Sequence, residues 1–228
     1  MLAQLGLLPD ADDGVSLRYP FTITLVGHRF TVDCGSQVAA QLDRTVDGAR
    51  VAYVGMDCAP LTSTGAIIAI RIDNPSPSRR AATLQTLGYL AAILARVADG
   101  SALYWPPAAL WSSTAELARA VIVMEERGLP PVLHFVAFAG GDGPDHDSHH
   151  VDSVGLSWIV GQELSVIGPL TLTHNDLLKR CARMTVDAMV NGPFSAGTQI
   201  DGIDQGETMV LTVADVDGRP QVVVARIQ

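Results

Sequence analysis

The sequence predicts an α+β fold: a mixed, largely antiparallel sheet or sheets with three long helices packed on them. Three observations carry this. Helical apolar spacing runs over about residues 79–98, 113–127 and 173–190, each stretch bounded by start and stop residues. Between the helices strands come in pairs, without the strict β-α-β-α rhythm of a doubly wound sheet. The C-terminus reads as a hairpin, Met209 to Val216 and Gln221 to Ile227 around a turn at Asp217-Gly218.

The elements follow in order. Residues 1–16 carry Asp10, Asp12, Asp13 and Gly14 after a short apolar start and read as a loose arm. The body spans 17–228, with room for two sub-lobes, 17–100 and 101–228. Phe21 to Val26 alternates and is rich in β-branched residues, so it is a strand. Gly27-His28 turns the chain, and Arg29 to Asp33 pairs back. Gln37 to Leu42 suits a short helix, and Val51 to Met56 and Gly65 to Ile72 suit strands. In the first long helix Leu84, Leu87, Ala91 and Leu94 form one apolar row. Leu90, Ile93 and Val97 form a second beside it, so the helix should be buried on two sides. Ala102 to Trp105 is a short strand stopped by Pro106-Pro107. Ser113 and Glu116 stand at capping-box spacing before the second helix, which Gly128 and Pro130 close. Val132 to Ala139 reads as a central strand, and Glu163 to Ile167 as another. Thr173 to Asp176 can cap the third helix, and Asn191-Gly192-Pro193 stops it.

Composition narrows the functions. The 228 residues are 48% hydrophobic and 17% charged, enough apolar surface for a sizeable core. The net charge of −9 repels a phosphate backbone and speaks against nucleic-acid binding. Lys179-Arg180 with Arg183, and Arg79-Arg80, read as ordinary helix-surface clusters. Three widely spaced cysteines, Cys34, Cys58 and Cys181, suggest free thiols in a reducing compartment. No apolar run reaches the ~20 residues of a membrane span, and the start lacks a signal peptide's positive region. The expectation is a soluble cytoplasmic protein that does not act at a membrane.

From about Ala102 to Val213 the chain resembles a bacterial family, the domain of unknown function 4261 (DUF4261). The resemblance rests on Leu103-Tyr104-Trp105, Leu129-Pro130-Pro131, Val154-Gly155-Leu156, Gly161-Gln162-Glu163-Leu164, Asp201-Gly202 and Gly206-Glu207, in that order. The family implies no agreed biochemistry. It is similar in size and character to small cytosolic proteins found among toxin–immunity and secretion genes.

Several residues invite chemistry, each with a plainer reading beside it. Asp142 to Asp152 holds three of the six histidines, His146, His149 and His150, with four acids. Imidazole and carboxylate suit zinc-like ions, but Asp and Gly also suit a solvated loop. Cys34 with His28 suits a nucleophile and base, and Cys34 alone suits a small buried hydrophobe. His134 in an apolar stretch reads as a hydrogen-bonded core histidine. Gly140 to Gly143 lacks the Lys and Ser/Thr of a phosphate loop. Trp105 and Trp111 flank a proline pair and suit either a contact surface or the core. Glu163 suits a half-buried carboxylate that accepts a backbone N–H or meets a partner.

No signature joins these residues into a catalytic set, and no cofactor is implied. The first reading is a non-enzymatic cytoplasmic binding protein. It would mask a protein partner, a basic toxin or effector, in an immunity-type role. Its contact residues would be Trp105, Trp111, Asp145, Asp147 and Glu163. The alternatives are a hydrolase using Cys34 and His28 or a metal on the histidine loop, and a homodimeric scaffold paired through the Val222–Ala225 edge.

Overall fold

The computed structural model describes residues 19–34, 42, 52–57, 67–72, 80–214 and 221–227. The arm over 1–16, the Asp217-Gly218 turn, Cys58, the Arg79-Arg80 side chains and, apart from Leu42, the short helix over 37–42 lie outside these residues. Within them the fold is α+β. In chain order come β1 (Phe21–Leu25), β2 (His28–Cys34), β3 (Ala52–Val54), β4 (Ile68–Ile72), α1 (Arg80–Val97), β5 (Ala102–Trp105), β6 (Leu110–Ser113) and α2 (Thr114–Arg127). Then follow β7 (Ala137–Asp142), β8 (Ser148–Val154), α3 (Leu156–Val160), β9 (Gln162–Pro169), α4 (His174–Asn191), β10 (Gln199–Asp201), β11 (Thr208–Ala214) and β12 (Gln221–Ile227).

The strands form two three-stranded sheets, β1-β2-β4 and β3-β6-β5, and a six-stranded sheet ordered β10-β11-β12-β9-β8-β7. In the large sheet only β12 and β9 run parallel. One buried cluster runs from Phe30 and Leu84 through Phe135 and Leu156 to Leu211 and Ala225. Both halves of the chain contribute to it. The two apolar rows of α1 are buried over its first three turns, where Leu84, Leu87, Leu90 and Ala91 lie inside, and the helix emerges at Val97.

The helix boundaries obey the capping residues. Ser113 accepts from the Glu116 amide, and Gly128 ends α2 in the left-handed region at φ 70°. Thr173 and Asp176 form a reciprocal capping box on α4, and Gly192 follows its last turn.

Three expectations change. The apolar run from Val132 is not a central strand. Pro130 and Pro131 remove backbone donors, and Val132–His134 winds into a 3₁₀ turn whose last bonds return to the Val132 carbonyl. The strand begins at Ala137 and lies at the sheet edge. The C-terminal hairpin is not an edge, because β12 lies between β11 and β9 with both sides paired. Val222–Ala225 therefore has no free backbone for a second copy. The Asp142–Asp152 stretch is largely a strand, since Gly143 and Ser148 close a hairpin and β8 runs on to Val154. Burial, which periodicity cannot separate from strand pairing, misleads in the first case.

The basic cluster on α4 is not all surface. Arg180 is 3% exposed. It donates from Nε to Glu207 Oε1 at 2.8 Å, from Nη2 to Glu207 Oε2 and Asp204 Oδ2, and from Nη1 to the Asp176 carbonyl at 3.0 Å. Arg183 donates to the Gly202 carbonyl at 2.6 Å. These bonds tie the β10–β11 turn to α4. A planar guanidinium held in a two-pronged carboxylate grip is the strong form of such contacts.

Hydrogen bonding to Arg180 holds the Glu207 carboxyl below its ordinary range. A lowered folded-state value stabilises the fold above the unfolded value and is lost as pH falls through the folded one. Stability should therefore fall below about pH 4.3, the unfolded value for glutamate. The variant Glu207→Gln leaves the arginine buried with half its partner. It should cost about 3 kcal/mol in urea unfolding at pH 7 and flatten that acid slope.

Candidate functional site

The large sheet has two unlike faces, because side chains alternate along each strand. Leu164 and Val166 of β9, Val223 and Ala225 of β12 and Val151 of β8 point one way, into the core. There α4 packs on β7, β8 and β9, with Leu177, Cys181, Met184 and Ala188 buried. The opposite face follows from the registers. One row across it reads Thr212, Val224, Ser165, Asp152, Ala139. The next reads Val210, Arg226, Ile167, His150, Gly141.

A cleft of about 740 Å³ lies on this face over Ala137, Ala139, Asp152, Ser165, Val222 and Val224, walled by Ala52 and the Ala108-Ala109 turn. A second hollow of about 380 Å³ joins it at Asp152 and Ser165 and reaches Asp142 and His150. Both volumes suit a bound side chain or short segment. Among the described residues the linings hold three carboxylates (Asp142, Asp152 and Glu163), one imidazole, and no Lys or Arg.

Glu163 stands at the end of the cleft. Its Oε1 accepts from the Gly155 amide at 2.9 Å, the Ser157 amide at 3.0 Å and the Ser157 hydroxyl at 2.7 Å. Its Oε2 accepts from the Ser153 hydroxyl at 2.6 Å and the Leu156 amide at 3.2 Å. The Ser153 oxygen in turn accepts from the Leu164 amide at 2.8 Å. Glu163 thus caps α3, a helix that sequence reasoning missed. The carboxylate satisfies amides at the helix start and lies where the dipole is positive. Gly155 is required here. Its φ is 93°, and a Cβ would lie 2.8 Å from the Ala108 Cβ and 3.0 Å from its Cα.

The other candidate residues separate. Trp105 and Trp111 are core residues, 8% and 4% exposed. Trp105 meets Phe135 and Trp158 edge-on at 5.2 and 5.1 Å between ring centres, and Trp111 lies 4.9 Å from Tyr104. They offer no contact surface, because the proline turn folds them inward. His28 and Cys34 stand at opposite ends of β2, about 20 Å apart at ~3.3 Å per residue. They cannot act as base and nucleophile, and His28 Nδ1 instead lies 3.0 Å from the Thr83 hydroxyl. Cys181 is buried, and burial pushes its thiol well above the ordinary range, away from the reactive thiolate.

The three loop histidines do not converge. His146 is exposed in the hairpin turn. His149 turns toward α4 and stacks on His174, 4.3 Å between ring centres. His150 turns to the cleft face, where Nδ1 donates to the Asp142 carbonyl at 2.7 Å. Among the described residues no three His, Cys, Asp or Glu gather where they could hold one metal ion. Asp147 is exposed in the same turn. Asp145, also exposed, receives Arg226 at 3.1 Å, and that side chain reaches past β9 to the hairpin. His134 is buried in the 3₁₀ turn, but its Nδ1 has no hydrogen-bond partner, contrary to the expectation of a satisfied core histidine.

Comparison with known proteins adds little. No protein-family model matches the chain, and no curated protein matches it. Among solved structures, a suppressor-of-fused protein homologue from Neisseria gonorrhoeae FA 1090 is similar over 46% of this chain and 74% of its own. Identity is 11% and the TM-score 0.28, which carries no argument about this chain.

Two expectations follow from this geometry. Glu163→Gln keeps the shape but replaces one acceptor oxygen by a donor amide, facing amides and hydroxyls that also donate. It should lower stability by about 2–4 kcal/mol, read from the urea midpoint, and loosen α3. Burial lowers the His134 pKa, with the Glu116 charge opposing. The unfolded chain then takes up a proton below about pH 6.5 that the fold refuses, so stability falls as pH drops from 7 toward 5. His134→Leu should remove part of that slope, which a urea series across pH would show.

Proposed function

We propose that this chain is a non-enzymatic binding protein of the cytoplasm that masks a basic protein partner, as an immunity-type protein masks an effector. Its contact surface is the cleft face of the large sheet. The observation that carries the reading is the lining of that face: half-buried apolar side chains, three carboxylates and no Lys or Arg among the described residues. Charge complementarity of this kind, with a net charge of −9, speeds encounter with a basic partner and rejects acidic ones. The chemistry-bearing residues elsewhere support it. Glu163 and Arg180 are spent on the fold, Cys181 is buried, and His28 and Cys34 lie far apart. Among the described residues no helix is long and apolar enough to cross a membrane. The resemblance to the DUF4261 family belongs to this reading, through its toxin–immunity association.

Co-purification from the source cell tests it. At about 0.1 M salt a basic partner should remain bound, and at about 1 M, where screening is strong, it should be lost. Val224→Arg, in the centre of the cleft, should weaken retention at least tenfold. The same change at exposed Val190 on α4 should not. A chain that emerges alone at low salt, or equal retention by both variants, would remove the proposal.

A further inference from the structure

Two of the three carboxylates lining the hollows, Glu163 and Asp152, stand one row apart and are used very differently. Glu163 takes five hydrogen bonds from amides and hydroxyls. Asp152 takes none from the described residues. Its Oδ1 is out of contact with water and has no hydrogen-bond partner. Its Oδ2 lies 3.5 Å from His150 Nε2. That nitrogen is no donor in the neutral ring, because the proton sits on Nδ1, which donates to the Asp142 carbonyl. The contact is an ion pair when the ring is protonated and no hydrogen bond when it is neutral, so a carboxylate that can accept up to about four hydrogen bonds takes none from the described residues.

Among the described residues the protonated His150 ring is the one cationic group against Asp152. Neither hollow is lined by Lys or Arg among the described residues, and the neighbouring Arg226 is drawn to Asp145. Ser165, across from Asp152 on β9, leaves room where the two hollows meet. Val222, Val224 and Ala139 form an apolar strip that can cover a long aliphatic stem.

From these observations we infer that Asp152 and His150 are the anchor for an arginine side chain of the partner, its guanidinium between Asp152 and His150 Nε2 and its stem along Val222 and Val224. A guanidinium fits because its planar fork can give one N–H to the accessible Asp152 Oδ2 and another to the Nε2 lone pair of the neutral ring. This rests on the sheet-face reading above and names what that face recognises.

The test uses the full chain, ¹⁵N-labelled, titrated with the peptide acetyl-(Ala-Arg)₃-amide and its (Ala-Gln)₃ counterpart at pH 7.5. The arginine peptide should shift the amides of Ala139, Asp152, Ser165 and Val224, and the glutamine peptide should bind at least tenfold more weakly. Asp152→Asn, an isosteric change, should weaken the arginine peptide at least tenfold. Ser165→Lys, which supplies a cation in cis, should do the same. Glu126→Gln, an exposed acid on α2, should change affinity less than twofold. If the peptide shifts the sheet face as strongly in Asp152→Asn as in the parent, the anchor is wrong while the face stands. If the shifts fall elsewhere, both fail. A chain that sediments as a dimer and becomes monomeric with Asp152→Asn has a second copy in the cleft, which overturns the inference.

Discussion

The carboxylate of Glu163 holds the end of the sheet cleft together. It gathers three backbone amides and two hydroxyls from the turn between β8 and α3. That connection reverses the chain, so β9 returns beside β8 at the centre of the sheet. A carboxylate so placed offsets the unmet donors of a five-residue helix too short to be stable by itself. It also brings the chain close to Ala108, which only glycine at position 155 permits. The geometry of the cleft follows, because Ala108, Gly155 and Glu163 meet at one end of it.

A second ionic grip works at the other side of the sheet. Arg180 on α4 holds Glu207 and Asp204, so the β10–β11 turn cannot swing away from the helix. Between the two grips α4 covers one sheet face with apolar side chains, and the opposite face keeps small and half-buried ones. The residues with the most chemical potential are thus committed to architecture. Asp152, on the cleft face, takes no hydrogen bond from the described residues and has His150 beside it. On the proposed reading, a surface built this way recognises a partner by charge and shape.

Helices were the legible part of the sequence. All three long ones lie where apolar spacing and caps put them, because Ser113, Gly128, Thr173, Asp176 and Gly192 act locally. Strand pairing was less legible. The hairpin of β11 and β12 could be read, but not that β12 joins β9 in parallel and so loses its edge, since that contact spans about sixty residues of sequence. The run from Val132 is buried for its apolar character, yet two prolines make it a turn.

The site was only partly legible. Glu163 was picked out as a half-buried carboxylate, and it meets amides as expected. Trp105 and Trp111 were ambiguous because tryptophan suits cores and interfaces alike, and here both are inside. Asp152 stands out in the sequence only as one of the four acids of the histidine stretch, and Ser165 gives no signal. They become neighbours only through the β8–β9 register, and nothing in a single strand reveals its partner across the sheet. The histidine stretch looked like one site. Strand alternation sends His149 and His150 to opposite faces, which composition alone cannot show.

The alternation also supplies the most direct measurement. Val222, Val223, Val224 and Ala225 are consecutive on β12, with the first and third facing the cleft and the second and fourth facing the core. Methyl NMR of the chain, free and with the protein that co-purifies with it, reads both faces from one strand. The account predicts that the Val222 and Val224 methyls shift strongly and those of Val223 and Ala225 hardly move. Shifts of equal size on both sets, or shifts confined to the exposed side of α2, would contradict it.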